Sequence, residues 1–438
     1  MFSGNRLRRL RPICRFAVCF TIVLILANYL IAVAQSPKSR GEQKNEKYSK
    51  SLGVPDYAKI AGFVENANLP TEQPELLWQA MSETVDGQGK VVSYSLTDAA
   101  IADGVLYFGD SKGAIIAFDV NDQSELWTHV HGKRISTEPS VDNDNVYFGS
   151  EQGITALRRD NGTQVWHHVI EKGTGETTPI PVGEYVYTSG YDGRSYCLNR
   201  ADGKVVWKHD FVEDAPPDPP EFASARARFQ EIKARPRGAA CDGRLFLQSV
   251  FDQSRVIAIE CETGKRRWSF QTGGWMGPAP TIVDGRVYIS SQDKHIYCLK
   301  LETGEVIWKQ KTHSWLASQA AVYDGVVYLP HHGGKLYQFK ADTGELIRKF
   351  EPPDEADRKG LVYSFPIISQ KTAYFPSGSG VFFAVNIETG ELRWKLRPSE
   401  DSELFTSPVT DGCRIFVTSR KGNEKTGEDS ILAIGTHP

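Results

Sequence analysis

The sequence predicts an all-β fold: an eight-bladed β-propeller of four-stranded blades, closed by an N-terminal strand that completes the last blade. Three observations carry that expectation. A unit of strands and tight turns recurs along the chain every ~40 residues, a period that means a propeller when the unit reads as strands. Apolar residues within each unit alternate, as half-buried strands require. The eighth copy stops at Ile434 before its last strand, while a strand-like segment, Leu76-Leu77-Trp78, precedes the first copy without a repeat of its own.

Residues 284–308 give the unit in full, DGRVYISSQDKHIYCLKLETGEVIW. Asp284-Gly285 opens a strand over 286–290, a polar turn falls at 292–294, and a second strand covers 295–299. The Glu302-Thr303-Gly304 turn then leads into a strand ending on Trp308, with glycine supplying the positive φ of a short hairpin. An inner strand precedes the Asp-Gly, as in residues 280–283, and makes the fourth. A single such sheet cannot bury both faces, so repetition is what stabilises it.

The other copies follow in order. The first runs from Asp103-Gly104 through Tyr107 and Phe118 to Trp127, without the turn glycine. The second and third run from Tyr147 to Trp166 and from Tyr187 to Trp207. In the fourth, Asp242-Gly243 leads to Phe246, Ile259, Thr263-Gly264 and Trp268. The sixth runs from Asp324-Gly325 through Thr343-Gly344 to Arg348, where the tryptophan is lost. The seventh runs from Tyr374 to Trp394, and the eighth opens at Asp411-Gly412.

This combination of Asp-Gly-x-Val-Tyr, an apolar strand and Thr-Gly-x-x-x-Trp resembles the pyrroloquinoline-quinone-like repeat family, over eight copies from Pro74 to His437. The resemblance implies that the recurrent tryptophan docks between neighbouring blades. Trp78, Trp127, Trp166, Trp207, Trp268, Trp308 and Trp394 match that position, and Arg348 departs from it. The family's enzymes carry adjacent cysteines beside the quinone, a Glu/Asn/Asp calcium set and an aspartate base. This chain has no Cys-Cys pair, no calcium set placed on a matched motif, and none of the enzymes' long insertions. In size and plainness it is nearer the non-catalytic members, the outer-membrane-assembly propellers.

The start of the chain reads differently. A basic segment, Arg6 to Arg15, precedes an apolar run over 16–34 ending in Ala32-Val33-Ala34, the small-x-small pattern of a signal peptidase site. Residues 1–34 are read as a signal peptide, or as a signal anchor if uncleaved, since the run is long enough to span a bilayer. Residues 35–70 read as a flexible polar tether and 71–438 as the propeller. The expected location is exported, periplasmic or extracellular. Within the propeller, residues 212–238 form a Pro-rich insertion with helical spacing over 221–235, and residues 419–429 read as a charged, solvated loop.

Function is less legible than fold. The 51 basic and 54 acidic residues nearly balance, so a nucleic-acid footprint is not supported. No haem-attachment motif, nucleophile elbow or metal-ligand set emerges, so no catalytic residue is assigned. Of seven cysteines, Cys241 and Cys261 fall at the two ends of one hairpin if Phe246 pairs with Ile257, and form the candidate disulfide. Cys197 and Cys298 occupy one position in non-neighbouring blades and are read as small buried residues.

The loops leading into the inner strands ring one mouth of the channel. They carry Tyr94, Arg134, Trp275 and Trp315, near His331 and His332. Trp275 and Trp315 share one repeat position and do not belong to the docking set, so this rim is the candidate partner or ligand site; core packing at the same place is the competing reading. The expectation is a non-catalytic, monomeric scaffold without cofactor, binding another exported or membrane protein or a small ligand. The alternatives are an oxidoreductase or quinone-binding protein using pyrroloquinoline quinone with calcium, and a sugar- or polymer-binding propeller.

Overall fold

The turns that join inner to second strands fold as the sequence asks. Asp284 and Gly285 both take positive φ, 50° and 71°, as do Asp324 and Gly325 at 46° and 70°. Two consecutive positive values are the primed turn whose twist matches a right-handed hairpin. In a computed structural model these hairpins assemble into eight sheets around a ring. The structure describes residues 6–9, 67–85, 91–93, 95–211, 236–250, 254–276, 279–352, 364–398, 402–404, 406–421 and 428–436.

Seven sheets have four antiparallel strands each, in simple sequence order. Blade 5 is typical: Thr281–Val283, Arg286–Ser290, His295–Lys300 and Val306–Lys311 from the channel outward. The second and third strands are buried on both faces, whereas the outer strand alternates. Hydrophobic clusters lie between blades: Tyr288, Cys298 and Trp308 of blade 5 pack on Leu329, Tyr337 and Phe339 of blade 6.

Ring closure takes the expected form. The eighth sheet runs Val409–Thr410, Ile415–Lys421, Glu428–Gly435, and its fourth strand is Glu75–Val85. Leu76 pairs with Ile434 and Trp78 with Ala433. This sheet also takes up Arg6–Arg9, Val91–Ser93 and Ser402–Leu404, so its edge is longer than in other blades.

The recurrent tryptophans show why the turn glycines are needed. Trp127, Trp166, Trp207, Trp268 and Trp308 each donate the indole N–H to a backbone carbonyl of the following blade, at Arg159, Arg200, Cys261, Leu301 and Ala341 respectively, over 2.7–3.0 Å. The ring lies against that blade's turn glycine: a Cβ added at Gly304 would come within 2.7 Å of Trp268, and one at Gly344 within 2.5 Å of Trp308. Glycine therefore answers two demands there, positive φ and contact with an aromatic face.

Two junctions improvise. Blade 8 has no third-to-outer turn of its own, and Trp394 of blade 7 instead donates to Pro70 O at 2.8 Å. Residues 67–70, read from sequence as the end of a tether, are thereby packed: Ala67 and Leu69 are buried and Ser369 Oγ donates to Ala67 O. At the seam between blades 8 and 1, Trp78 packs on Phe118 and Phe416 but its indole N–H has no hydrogen-bond partner. Arg414 serves the carbonyl that is in position there, donating to Val120 O at 2.9 Å and to Asn121 Oδ1 at 2.7 Å.

Three other expectations are corrected. The recurrent tyrosine of blade 4 is replaced by Leu247, not Phe246, because Leu247 pairs with Ala258 opposite Trp268, while Phe246 pairs with Ile259 rather than Ile257. The inner strand of that blade begins at Pro236, so the insertion ends before it; the proposed helix over 221–235 lies outside the described residues. The charged loop over 419–429 is strand at both ends, to Lys421 and again from Glu428, while residues 422–427 lie outside the described residues. Its Asp429 is fully buried because Arg420 grips it through two bonds of 2.9 Å and Leu96 N–H donates to it across the seam. Apart from Arg6–Arg9, which pairs with the closing strand, the signal segment lies outside the described residues, as does the tether before residue 67.

Two predictions follow from these junctions. Trp78→Ala should cost about 3 kcal/mol or more in denaturant unfolding, as other large-to-small core changes do; a loss below about 1 kcal/mol would show that the closing strand is held by other contacts. Arg348, in the tryptophan position of blade 6, lies against Gly390 with a buried Nη1 that has no partner. Arg348→Trp should restore the indole donor and raise stability by about 1 kcal/mol, read as a higher melting temperature.

Candidate functional site

The mouth of the ring is built by two kinds of segment held together by backbone hydrogen bonds. The loops leading into inner strands meet the turns between second and third strands: Ser111 N–H donates to Ser95 O, Glu151 to Arg134 O, Tyr191 to Gly173 O and Gln292 to Trp275 O. Every blade thus presents one loop and one turn to the same end.

Trp275 and Trp315 sit on these loops in blades 5 and 6, both half-buried. Trp315 packs edge-on against His332, with ring centroids 4.7 Å apart. The adjacent histidines do not face opposite ways, because His331 ends a strand and His332 begins a one-turn 3-10 segment; their rings lie 5.2 Å apart. His331 is buried beneath, 4.3 Å from the His313 ring, and desolvation with the neighbouring His313 pushes its pKa down to about 3. It is therefore a neutral packing group supporting the rim, not part of the exposed surface. Arg134 is exposed on blade 2, four blades round the ring from Trp315. Tyr94 lies outside the described residues. The structure brings Trp315, His331 and His332 together, with Trp275 on the neighbouring blade and Arg134 apart.

A cavity of about 800 Å³ opens into the channel and is lined by residues of all eight blades, from the inner strands, the segments just before them and rim residues including Arg134. One repeat position, two residues before the residue that pairs with the recurrent tyrosine, points into it from most blades. The position is occupied by Asp98, Glu138, Thr178, Ala279, Gln319, Phe365 and Ser407. Asp98 and Glu138 stand in neighbouring blades. Ser407 N–H donates to Asp98 Oδ2 at 3.1 Å. Desolvation raises both carboxyl groups, Asp98 to about 6 and Glu138 to about 8, and the Asp98 charge adds to the shift of Glu138. The pair therefore holds a proton where isolated carboxyl groups would not.

Sequence reasoning singled out neither residue. The signal was present: aligned on the Tyr pairing, this column, just before the innermost strand, is polar in five blades. Trp275 and Trp315 do not reach this cavity wall. Among the described residues no group of three or more His, Cys, Asp or Glu side chains is placed to hold a metal ion, and no helix is long and apolar enough to cross a membrane.

Cys241 and Cys261, the candidate disulfide, are both buried thiols with sulfurs 3.4 Å apart. Cys197 of blade 3 belongs to the same cluster, whereas Cys298 packs between blades 5 and 6.

With this geometry in hand, comparison places the chain among known proteins. A family model described as outer membrane protein assembly factor BamB matches residues 150–231 and 196–423. The outer membrane protein assembly factor BamB of Yersinia pestis is 24% identical over 204 residues, 42% of this chain and 44% of that one. The quinohemoprotein alcohol dehydrogenase ADH IIB of Pseudomonas putida is 30% identical over 154 residues, 32% of this chain and 21% of that one. This chain therefore covers less than half the length of either relative. Among solved structures, BamB from Moraxella catarrhalis superposes with a TM-score of 0.58 at 17% identity, covering 78% of this chain and 98% of that one. A europium-containing methanol dehydrogenase gives 0.62 at 13% identity, covering 90% and 100%.

The carboxyl pair makes a pH prediction. A carboxyl group whose folded pKa lies above its unfolded value binds its proton more tightly when folded, so its contribution is favourable at low pH and is lost as pH rises from about 4 through 8. Glu138→Gln should therefore raise the melting temperature at pH 8 by a few degrees and leave it nearly unchanged at pH 4. Equal effects at both pH values would mean that the channel is wet enough to solvate the carboxylates.

Proposed function

Because the chain belongs to the pyrroloquinoline-quinone-like repeat family whose model is described as outer membrane protein assembly factor BamB, we propose that it is an exported, non-catalytic propeller that binds another protein of the cell envelope. The observation that carries this reading is the span of the family match, which runs from the second blade to the eighth rather than over one or two repeats. The rim fits a docking role. Trp315 and Trp275 are large, half-buried aromatics on adjacent loops, and such side chains anchor interfaces by burying much area at little rotamer cost. The apolar segment over 16–34 would deliver the propeller across a membrane, leaving it periplasmic or tethered.

The likeness to quinohemoprotein alcohol dehydrogenases raises a second reading, with pyrroloquinoline quinone in the channel. The wall offers such a group mixed support: Arg134, Lys172 and Arg420 line it, but so do Asp98 and Glu138. The quinone is a planar tricarboxylate, and Asp98 and Glu138 already resist carrying two negative charges at the cavity wall. Trp275 and Trp315, the rim aromatics with flat rings suited to stacking, lie outside that wall.

A photo-crosslinking residue placed at position 315, or at 275, in the full chain tests the proposal in cells that make the protein. We expect a discrete adduct with one envelope protein. The purified partner should then bind the Trp275→Ala/Trp315→Ala variant at least tenfold more weakly, with the melting temperature of the propeller preserved. Normal binding by a double variant that melts several degrees lower would make these residues structural. Stoichiometric uptake of the quinone by purified protein in the presence of calcium, seen by its absorption, would establish the oxidoreductase reading instead.

A further inference from the structure

Blade 4 is the one blade whose inner strand follows a long insertion rather than a short loop. That strand, Pro236–Cys241, is hydrogen-bonded on only one side, to Leu245–Val250. Its last residue, Cys241, meets Cys261, which follows the third strand, Arg255–Glu260. Their sulfurs are 3.4 Å apart, and both residues are at least 95% buried. Cys261 is also the residue whose carbonyl accepts the Trp207 indole N–H of blade 3, at 2.7 Å. Around the pair, Val182, Tyr187, Trp207 and Phe246 close a single apolar cluster across the junction of blades 3 and 4.

We propose that Cys241 and Cys261 are a redox modification site: oxidation joins them in a disulfide that clips the innermost strand of blade 4 to the turn on which blade 3 docks. The sulfurs, 3.4 Å apart as thiols, must close to a bond of about 2 Å. The chemistry is an exchange with a small-molecule disulfide such as glutathione disulfide. One cysteine thiolate attacks it and releases the first glutathione thiol. The second thiolate attacks the mixed disulfide and releases the other. One sulfur–sulfur bond forms as one breaks, the two cysteine thiol protons end on the two released glutathione thiolates, and the two electrons reduce glutathione disulfide to two thiols.

The third nearby thiol, Cys197, has a different role. Cys197 sits across from Tyr187 on the third strand of blade 3, whereas Cys241 and Cys261 bring their sulfurs to 3.4 Å within blade 4, so Cys197 is the bystander. Burial pushes the Cys241 thiol well above its ordinary pKa and that of Cys197 up to about 12. Thiolates are the attacking species, so the bridge forms while the junction is still closing and is protected afterwards.

The test uses the full chain, unfolded and refolded in glutathione/glutathione disulfide buffer or in dithiothreitol, then alkylated and digested without reduction. The expected result is one cross-linked product joining the peptides of Cys241 and Cys261, with Cys197, Cys298 and Cys413 alkylated. The oxidised form should melt about 4 °C above the reduced form, as closing a loop of this length predicts for a domain of this size. Cys413→Ser, at an exposed position, should keep that difference, and Cys241→Ser/Cys261→Ser should abolish it. Alkylation of every cysteine after refolding in the oxidising buffer, or a bridge from Cys197 to either partner, would overturn the proposal. Peptide mapping of the unaltered chain decides the matter even if the double variant fails to fold. Because the oxidant is supplied in the buffer, this result stands apart from whether the protein is exported or binds an envelope partner.

Discussion

Each blade of this ring depends on a bond made by its neighbour. A tryptophan on the outer strand of one blade crosses the gap, lies on the turn glycine of the next and donates its N–H to the carbonyl three residues before that glycine. The geometry couples three demands: an aromatic large enough to fill the wedge, a residue without Cβ to receive it, and a carbonyl left unpaired by the sheet. A buried indole N–H without an acceptor would be costly, so the carbonyl fixes the angle between blades as well as holding them. The recurring angle is what allows identical sheets to close into a circle.

Two of the three departures from that bond fall where the ring is joined; the third, Arg348 against Gly390, lies between blades 6 and 7. Between blades 7 and 8 the acceptor comes from Pro70, outside the repeats altogether. Between blades 8 and 1 the arginine Arg414 reaches the carbonyl of Val120, and a second arginine, Arg420, holds the buried carboxylate of Asp429 under the Leu96 amide. The seam thus exchanges an indole for charged groups with longer reach. That fits a junction where the two blades are not connected by a short loop and must find each other by side-chain chemistry.

The architecture was legible because it is written in local signals repeated eight times: Asp-Gly turns, alternating apolar residues and a tryptophan at a fixed offset. Trp78 and the truncated eighth copy were enough to foresee the closing strand. What escaped was whatever depends on the ring rather than the repeat. Asp98 and Glu138 are unremarkable polar residues in sequence, and only closure of eight inner strands around them makes them neighbours with raised pKa values. Phe246 was misplaced by counting from Asp242-Gly243, because the hairpin there is closed by four residues rather than two, with Cys241 paired to Phe246. His331 looked like a surface candidate in sequence; its strand end carries it inward, while His332 turns with the 3-10 segment toward Trp315.

The closing strand also has a kinetic meaning. Strand pairs within a blade join residues a few positions apart, whereas Leu76 meets Ile434, and the amide of Leu96 meets Asp429 across 333 residues. The entropy of closing so long a loop is lost before any of its contacts form, and rises only logarithmically with length. The intermediate blades shorten that search by lining up the two ends as they stack. Ring closure is therefore expected late in folding, after the sequential blades have formed. The edges left unpaired until Glu75–Val85 arrives are where a chaperone would act and where aggregation would start.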